Sequence, residues 1–413
     1  MKKILTVTLT IILIMFNFVY VYADDENEII TEPVIEEHEK EEIEASASSE
    51  TKPTINSRRY AIYDRLSGRC LYGKDENKQT AMASTTKIMT AIVVVENCKI
   101  TDVVTVPAKA GGTGGSRLGL QKDDLITVND LLYGLMLRSG NDAAVALAIH
   151  TAGSVEKFAE LMNKKADDLG LKDTNFVTPH GLDDANHYTT AYELAKITDY
   201  ALKNETIAKI VKTENTTITI NNRPMQINNT NELLGNVTGV YGVKTGFTNN
   251  AGRCLVTSVK RDDMDLIIVV LGADTRKDRA KDSMKLIEYA YKKYRVTNVE
   301  EIIEKEFQMW RQINENRIYV NKGEGDLELE IGEIPITQIA TDVTPSIEIN
   351  TSTYLEAPVE KGERIGTLTV KIGDEIIEEI EIKLAKTVKK RGILEYFNIM
   401  AKIYSGKIRI IEN

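Results

Sequence analysis

The spacing of apolar residues predicts alternating strands and helices over residues 60–294. Strand-like runs at 60–64 and 69–72 flank Arg65-Leu-Ser-Gly68, a pattern typical of a hairpin. Apolar residues at helical spacing predict helices at 82–96, 127–135, 142–150 and 154–169. Further strands are predicted at 216–220, 254–260 and 266–271, followed by a helix at 279–294. Strands that come late and adjacent, after a run of helices, favour an α+β fold with an antiparallel sheet flanked by helices.

The pattern changes near residue 298. Short alternating runs at 327–331, 346–349 and 364–372 lie between Gly and Pro breaks and predict a small all-β domain. The 413 residues, 42% hydrophobic and 28% charged, suit a folded chain of two or three domains. We therefore predict one domain over 55–297 and a second over 298–385, and candidate catalytic residues occur only in the first.

The N-terminus has the pattern of a secretory signal peptide. Met1-Lys2-Lys3 is followed by an apolar run at 4–20 and by Ala23 just before two aspartates. A retained membrane anchor is the alternative, because the apolar run approaches spanning length. Cleavage after residue 23 would give a protein secreted across the cytoplasmic membrane, and both alternatives place the body at the extracellular face of the membrane or in the cell wall.

The segments that flank the two domains carry opposite charge. Residues 24–54 are acidic and Ser-rich, which predicts a disordered leader, with an acidic metal-binding tract as the alternative. Residues 386–413 contain seven basic and two acidic residues. Ile393, Phe397, Met400 and Tyr404 share one helical face there, which predicts a basic amphipathic tail on a membrane surface. A helix docked on its own protein is the alternative, and 408–411 is also compatible with a strand.

Net charge and cysteine content exclude several classes of protein. The formal charge is −10, from 52 basic and 62 acidic residues, which argues against a nucleic-acid partner. Three cysteines, Cys70, Cys98 and Cys254, are too few for a disulfide scaffold or a multi-cysteine metal site. We predict that they are free thiols and that the protein has no cofactor.

Ser84-Thr-Thr-Lys87 is the first candidate for chemistry. A hydroxyl and an amine at positions i and i+3 share a helical face, and the first turn of a helix favours a developing negative charge. The amine can take the serine proton only if it is held uncharged, which requires a closed site. The spacing alone is not specific, because it also occurs at Ser49 with Lys52 and at Ser154 with Lys157.

Two further triplets make the serine–lysine pair informative. Ser139-Gly140-Asn141 lies in a break between two predicted helices, where a loop can direct a hydroxyl and an amide into a cleft. Lys244-Thr245-Gly246 lies at a strand-like edge and supplies a cation, a hydroxyl and room for close backbone approach. The three motifs occur in the order known for penicillin-binding proteins and serine β-lactamases.

Longer segments carry a closer resemblance. The chain resembles the D-alanyl-D-alanine carboxypeptidases of the low-molecular-weight penicillin-binding class over about 57–295, in the segments 59–68, 130–137, 139–144, 178–183, 187–192 and 242–246. The β domain and the tail resemble the same family's arrangement more weakly. The resemblance implies a serine carboxypeptidase that trims D-alanine from peptidoglycan stem pentapeptides and is acylated by β-lactam antibiotics.

The resemblance also implies a catalytic role for each motif residue. Ser84 is the nucleophile and Lys87 its general base. Ser139, together with Lys244, relays a proton to the leaving D-alanine. Asn141 holds the substrate amide or positions Lys87.

The remaining implied roles concern binding. The terminal carboxylate is bound by the part of the site that Lys244, Thr245 and Gly246 form. Arg279 adds to this binding. The backbone N–H groups of Ser84 and Phe247 form the oxyanion hole. A free carboxylate needs a cationic clamp, so an exopeptidase suits this residue set better than an endopeptidase.

Two other functions compete with this reading. A β-lactamase of the same fold would need a deacylating glutamate, and residues 170–190 contain none. Gly140 also stands where class A β-lactamases have aspartate, and Phe247 where some relatives have histidine, a difference that bears on substrate preference. A catalytically inactive wall-binding scaffold is the second alternative, in which the β domain and the basic tail matter most.

Two other motifs are weaker candidates for a functional site, and a third motif is missing from the chain. His180 and His187, with Asp183 and Asp184 between them, suggest a metal site, but their spacing fits no known ligand motif. The glycine loop at 111–115 lacks the Gly-Lys-Ser/Thr of a phosphate-binding loop. The chain also lacks the Gly-x-Ser-x-Gly sequence that typically carries the nucleophile of a Ser-His-Asp hydrolase.

Overall fold

The computed structural model describes residues 34–48 and 50–405. The chain divides into two compact units, Met1–Tyr294 and Arg295–Asn413. The predicted signal peptide, residues 24–33 of the leader and the alternative strand at 408–411 lie outside the described residues.

The first unit mixes helices and strands, and it contains the elements that the hydrophobic pattern predicts together with several shorter ones that it does not. Its elements are α1 (Glu37–Ser46), β1 (Arg59–Asp64), β2 (Arg69–Lys74), a 3₁₀ turn (Ala83–Thr86), α2 (Lys87–Asn97), β3 (Val103–Thr105), α3 (Ala108–Gly111), β4 (Leu125–Thr127), α4 (Val128–Met136), α5 (Asn141–Ala152), α6 (Val155–Asp168), α7 (Ala191–Leu202), α8 (Glu205–Val211), β5 (Asn215–Ile220), β6 (Arg223–Asn228), β7 (Val240–Thr248), β8 (Gly252–Arg261), β9 (Met264–Ala273) and α9 (Arg276–Lys293).

A five-stranded antiparallel sheet organises this unit. The strand order is β2-β1-β9-β8-β7, so β7 is an edge strand. Helix α7 packs on β1 and β9, and α9 packs on β8 and β9. The predicted α+β fold is confirmed, and the edge strand carries the Lys244-Thr245-Gly246 motif.

Side-chain caps fix the starts of several helices at the predicted residues. The Thr127 hydroxyl accepts a hydrogen bond from the Asp130 N–H at 3.0 Å, and Ser154 accepts one from the Lys157 N–H at 3.1 Å. Ser154 is therefore a helix cap, and its partner is the backbone N–H of Lys157 and not the lysine amine. Helix α2 is buried from Lys87 to Val94, which makes it the central helix of this unit.

Residues 37–46 of the predicted disordered leader form the helix α1 in the structure. Ile35 and Ile43 are buried beside residues of the folded unit, and Glu39 pairs with Lys277 and Lys281 of α9 at 2.8 and 2.7 Å. This segment is helical despite its composition because it needs no core of its own. Its two isoleucines and one carboxylate bind a surface that the rest of the chain provides.

We expect Glu39→Gln to weaken the docking of α1. Hydrogen bonds from Lys277 and Lys281 lower the pKa of Glu39 from 4.5 to about 2. A carboxylate with a lowered folded pKa stabilises the docked state above pH 4.5, and this contribution is lost as the pH falls toward 2. Hydrogen exchange of residues 37–46 at neutral pH should therefore be faster in the variant. High salt should accelerate exchange in the wild type, because it screens the ion pairs.

Glu41→Gln is the matched control for this experiment. Glu41 lies on the same helix but is exposed, so its loss should leave exchange unchanged. Equal exchange in Glu39→Gln and the wild type would contradict the prediction.

The second unit is built mainly from short strands. Its elements are β10 (Arg295–Asn298), α10 (Val299–Asn314), a 3₁₀ turn (Glu315–Arg317), β11 (Tyr319–Asn321), β12 (Gly323–Glu324), β13 (Leu329–Ile331), β14 (Gln338–Thr341), β15 (Ser346–Thr351), β16 (Tyr354–Glu356), β17 (Arg364–Ile372), β18 (Glu375–Leu384), β19 (Lys389–Lys390) and α11 (Ile393–Tyr404).

A four-stranded sheet in the order β13-β18-β17-β15 is the main feature of the second unit. The predicted β domain is confirmed, and α10 is a helix that the strand-like texture did not predict. Its Ile303 and Phe307 join the same apolar core as Leu368 and Ile382. Within 34–48 and 50–405, none of the helices combines the length and the apolar character needed to cross a membrane.

The three cysteines all lie within the described residues. Cys254 is buried, Cys70 and Cys98 are partly buried, and none of them forms a disulfide. Burial raises the pKa of the Cys70 thiol to about 12, so this thiol remains protonated at neutral pH. The predicted free thiols are confirmed.

Candidate active site

The 3₁₀ turn before α2 brings Ser84 and Lys87 into contact. Side chains at i and i+3 of a 3₁₀ turn lie directly above one another. Lys87 Nζ is 2.6 Å from Ser84 Oγ, and both side chains are buried, with relative exposures of 0% for Lys87 and 3% for Ser84. The amine is therefore enclosed with the hydroxyl as its neighbour.

Two more groups surround the lysine amine. Lys87 Nζ donates to Asn141 Oδ1 at 2.7 Å and to the backbone carbonyl of His180 at 2.9 Å. The Asn141 amide donates in turn to the Gly114 carbonyl at 2.8 Å. The second motif therefore joins the first through a direct hydrogen bond from Lys87 to Asn141.

Ser139 lies two residues before Asn141 and has an unusual backbone conformation. Its φ is +59°, in the left-handed region that non-glycine residues rarely adopt. Its hydroxyl oxygen is buried and makes no hydrogen bond within the part of the chain that the structure describes. An unpaired buried hydroxyl and a strained backbone both carry a cost in folding free energy, and such features cluster at functional sites.

Asp142 is a supporting residue that the sequence analysis did not single out. Its carboxylate is fully buried and accepts hydrogen bonds from the backbone N–H groups of Leu118, Gly119 and Leu120, at 2.8, 2.8 and 3.0 Å. These bonds anchor the loop that supplies the Gly114 carbonyl to Asn141. The only sequence signal was that Asp142 directly follows the Ser139-Gly140-Asn141 motif.

Strand β7 supplies the third motif. Lys244 is buried, and its amine donates to the Thr245 carbonyl at 3.0 Å. The Thr245 hydroxyl lies 2.7 Å from the Thr230 hydroxyl. A Cβ atom at Gly246 would lie only 2.9 Å from the backbone nitrogen of Ser84. Strand β7 therefore runs directly against the turn Ala83–Thr86, which is called the nucleophile turn below because it carries the candidate nucleophile Ser84. The three motifs therefore form one site.

We expect Gly246→Ala to separate β7 from the nucleophile turn. The added methyl would meet the backbone nitrogen of Thr85 at 3.1 Å as well as that of Ser84, and neither can move independently of its turn. Displacing reacting groups by about 1 Å can slow a reaction on the order of 100-fold. The measurement is the second-order rate of acylation by a penicillin.

Gly112→Ala is the matched control for this variant. A Cβ at Gly112 would make only ordinary contacts, at 3.8 and 3.9 Å, and its φ of −93° suits alanine. A Gly246→Ala protein that acylates at the rate of this control would contradict the close approach.

Arg279 is paired with a buried carboxylate in the structure. Its Nε and Nη2 donate to the two carboxylate oxygens of Glu232, both at 2.9 Å, and Nη1 donates to the Cys254 carbonyl at 3.4 Å. Arg279 and Glu232 are 0% and 2% exposed. The two side chains form a buried ion pair, so the Arg279 charge has a partner within the protein before any substrate binds.

Phe247 follows the third motif at the end of β7. Its side chain is partly exposed, and the Arg253 guanidinium stacks over its ring at 3.8 Å from the ring centroid. This contact involves only the side chain, so the backbone N–H that the sequence analysis assigned to the oxyanion hole is a separate group.

His180 and His187 both lie in the loop that packs on the nucleophile turn. Burial lowers the pKa of His180 to about 3 and that of His187 to about 4, so both rings are neutral at physiological pH. Each Nδ1 accepts a backbone N–H, from Leu182 at 3.2 Å and from Val177 at 2.9 Å. Asp183 accepts a hydrogen bond from the Thr248 hydroxyl at 2.6 Å, which ties this loop to the end of β7.

Comparison with known families matches both parts of the chain. Residues 46–275 match the family model described as D-alanyl-D-alanine carboxypeptidase. Residues 338–390 match the model of the penicillin-binding protein 5 C-terminal domain. Helix α1 lies before the first matched range, and only the last residue of the helix, Ser46, falls inside that range.

Individual relatives match over most of their length. The D-alanyl-D-alanine carboxypeptidase DacF of Bacillus subtilis is 34% identical, over 81% of this chain and 86% of that protein. DacC of Escherichia coli is 33% identical, over 82% and 86%. Among solved structures, penicillin-binding protein 5 of Haemophilus influenzae superposes with a TM-score of 0.67 at 30% identity, over 82% of this chain and 99% of that one.

Proposed function

Since this chain belongs to the D-alanyl-D-alanine carboxypeptidase family, and is therefore a hydrolase of the penicillin-binding type, we propose that it removes the terminal D-alanine of peptidoglycan stem pentapeptides through an acyl-enzyme on Ser84. The observation that carries this proposal is the 2.6 Å contact between Ser84 Oγ and a fully buried lysine amine. β-Lactam antibiotics would acylate the same oxygen.

The hydrogen bonds around Lys87 support its role as general base. A neutral amine has two N–H bonds and one lone pair. Asn141 Oδ1 and the His180 carbonyl can take the two N–H bonds, at 2.7 and 2.9 Å. The lone pair then faces the Ser84 hydroxyl, whose proton moves to Nζ as Oγ attacks the carbonyl carbon of the penultimate D-alanine.

The oxyanion of the tetrahedral intermediate would be held by the backbone N–H groups of Ser84 and Phe247. When the intermediate collapses, the peptide bond breaks and the leaving D-alanine nitrogen needs a proton. Ser139, whose hydroxyl has no competing hydrogen bond among the described residues, would pass that proton on, together with Lys244. Water then attacks the ester and releases the tetrapeptide, which restores Ser84.

Recognition of the C-terminal carboxylate is proposed for Lys244 and Thr245. Lys244 brings a cation to the edge strand β7, beside the nucleophile turn. If Thr230 donates to Thr245 across their 2.7 Å contact, the Thr245 proton stays available for a carboxylate oxygen. Arg279, which pairs with Glu232 in the structure, would add to the binding of that carboxylate.

The test combines product release with adduct mapping. Purified protein should release D-alanine from a stem pentapeptide and none from the matching tetrapeptide. Penicillin should leave a lasting adduct on the peptide that contains Ser84, as read by mass spectrometry. Rapid penicillin turnover would instead indicate a β-lactamase, and the absence of both release and adduct would indicate a scaffold.

We also propose that residues 55–297 form the catalytic domain and 298–385 the β domain. The division of contacts between Tyr294 and Arg295, and the separate family matches at 46–275 and 338–390, support this boundary. The signal-peptide pattern at 1–23 supports action at the extracellular face of the membrane, where the proposed substrate is found.

The tail is proposed to lie on a membrane surface. None of the residues of α11 is buried, and Phe397 and Met400 are 62% and 61% exposed. Exposed apolar side chains on a helix that also carries lysine suit an anionic lipid surface.

We expect the double variant Phe397→Ser, Met400→Ser to lose binding to anionic lipid vesicles in a flotation assay. Ile313→Ser is the matched control, because Ile313 is 60% exposed on a different helix, α10. Equal flotation of the double variant and this control would contradict the tail's role.

A further inference from the structure

A buried pair of side chains braces the nucleophile turn from the side of the 175–190 loop. His187 Nε2 lies 2.8 Å from the Thr86 hydroxyl, and the two residues are 101 positions apart in the chain. Thr86 is 1% exposed and His187 is 3% exposed.

The partners of the ring assign its protons. His187 Nδ1 accepts the Val177 N–H at 2.9 Å, so Nδ1 carries no proton and Nε2 carries one. Nε2–H therefore donates to the Thr86 oxygen, and the Thr86 hydroxyl proton is directed to the Ala83 carbonyl at 2.8 Å. Burial lowers the pKa of His187 to about 4, which keeps this neutral tautomer at physiological pH.

The end of this chain of hydrogen bonds is the peptide group that joins Ala83 to Ser84. A peptide group is planar, so fixing the direction of the Ala83 carbonyl also fixes the direction of the Ser84 N–H. Ala83 has a φ of +49°, in the left-handed region that alanine rarely adopts. The orientation of this peptide therefore depends on outside contacts.

Gly181 packs closely against the same peptide group. Its φ is +87°, and a Cβ atom there would lie 1.9 Å from the Ala83 oxygen and 2.6 Å from the Thr86 hydroxyl. The loop backbone thus packs directly on the Ala83 carbonyl and the Thr86 hydroxyl. The Ser84 nitrogen faces the opposite wall, where β7 passes at Gly246.

We propose that His187 and Thr86 are positioning residues that set the oxyanion hole, by holding the Ala83–Ser84 peptide so that the Ser84 N–H points at the developing oxyanion. This inference rests on the proposed acylation of Ser84. It assigns the 175–190 loop a second role beside supplying the His180 carbonyl to Lys87. An oxyanion-hole donor contributes 100- to 1,000-fold in rate in the cases where one has been removed, and a misdirected donor loses part of that.

Four variants distinguish a role of Thr86 and His187 in orienting the Ala83–Ser84 peptide from a role in packing alone. Thr86→Val removes the hydroxyl at constant shape, whereas Thr86→Ser retains it. His187→Phe keeps a ring without nitrogen, whereas His187→Gln keeps an N–H donor in the region of Nε2. The readouts are the rate of acylation by a penicillin and the infrared carbonyl band of the acyl-enzyme, which reports directly on hydrogen bonding to that oxygen.

We expect Thr86→Val and His187→Phe to slow acylation by about 10- to 100-fold and to shift the carbonyl band to higher frequency. Thr86→Ser and His187→Gln should stay near the wild type in both readouts. If Thr86→Val fails to fold, the two His187 variants decide the question.

An unshifted carbonyl band in folded Thr86→Val or His187→Phe would overturn the inference, because a merely structural brace changes the rate or the melting temperature but not the band. A His187→Gln protein as slow as His187→Phe would also overturn it. Failure of the proposed function is a separate result: in that case the wild-type protein itself would form no adduct on Ser84.

Discussion

Ser84→Ala is expected to abolish D-alanine release and covalent labelling by penicillin together. The substitution removes the only atom that the mechanism joins to the acyl group, and it leaves the surrounding packing almost unchanged because Ser84 is small and buried. Loss of the nucleophile in a serine hydrolase lowers kcat on the order of 10⁶-fold. The measurements are release from a pentapeptide and labelling by a fluorescent penicillin.

The chain offers a matched control in its other serine–lysine pair of the same spacing on a helix. Ser154→Ala removes a helix cap, which costs about 1 kcal/mol of folding free energy but touches no catalytic group. It should keep full labelling. A Ser84→Ala protein that still releases D-alanine at a measurable rate would rule out the acyl-enzyme on this residue.

Lys87→Met is expected to lower the acylation rate by about 100- to 10,000-fold, the range typical of a lost general base. Methionine approximates the length of lysine but carries no amine. It leaves Asn141 Oδ1 and the His180 carbonyl without the donor they have now, so some stability should be lost as well, about 1–3 kcal/mol for each buried acceptor. Stopped-flow acylation and a thermal melt measure the two effects separately.

Lys157→Met is the control for the lysine variant, because Lys157 is exposed and its side chain serves no buried group. The two variants should also differ in the final extent of labelling by penicillin. Ser84→Ala should block labelling at any penicillin concentration or time, whereas Lys87→Met should label slowly and reach completion. Labelling of Lys87→Met at a rate within tenfold of the wild type would mean that another group takes the Ser84 proton.

Much of the fold and the centre of the site follow from local sequence patterns. Ser84 and Lys87 are three residues apart on one turn, so their contact depends on helical geometry alone. Asn141 begins a helix whose start the Gly140 break already predicts. The helix caps at Thr127 and Ser154, and the strands of the central sheet, are equally local in origin.

The parts that sequence reasoning missed depend on partners far along the chain. Arg279 pairs with Glu232, 47 positions away, and no pattern near either residue announces the other. Thr86 and His187 form a contact only because the 175–190 loop folds over the nucleophile turn. Glu39 meets Lys281 across 242 positions, which is why composition alone predicted disorder for the leader.

The close approach of Gly246 to Ser84 has a consequence for how this protein acquires activity. One wall of the cleft is translated first, as the turn before α2, and the other is translated much later in the chain, as the edge strand β7. In the proposed mechanism, neither wall reacts with a penicillin by itself. A fluorescent penicillin applied during export should therefore stain only molecules whose maturation is complete, and the antibiotic would double as a reporter of native assembly in the living cell.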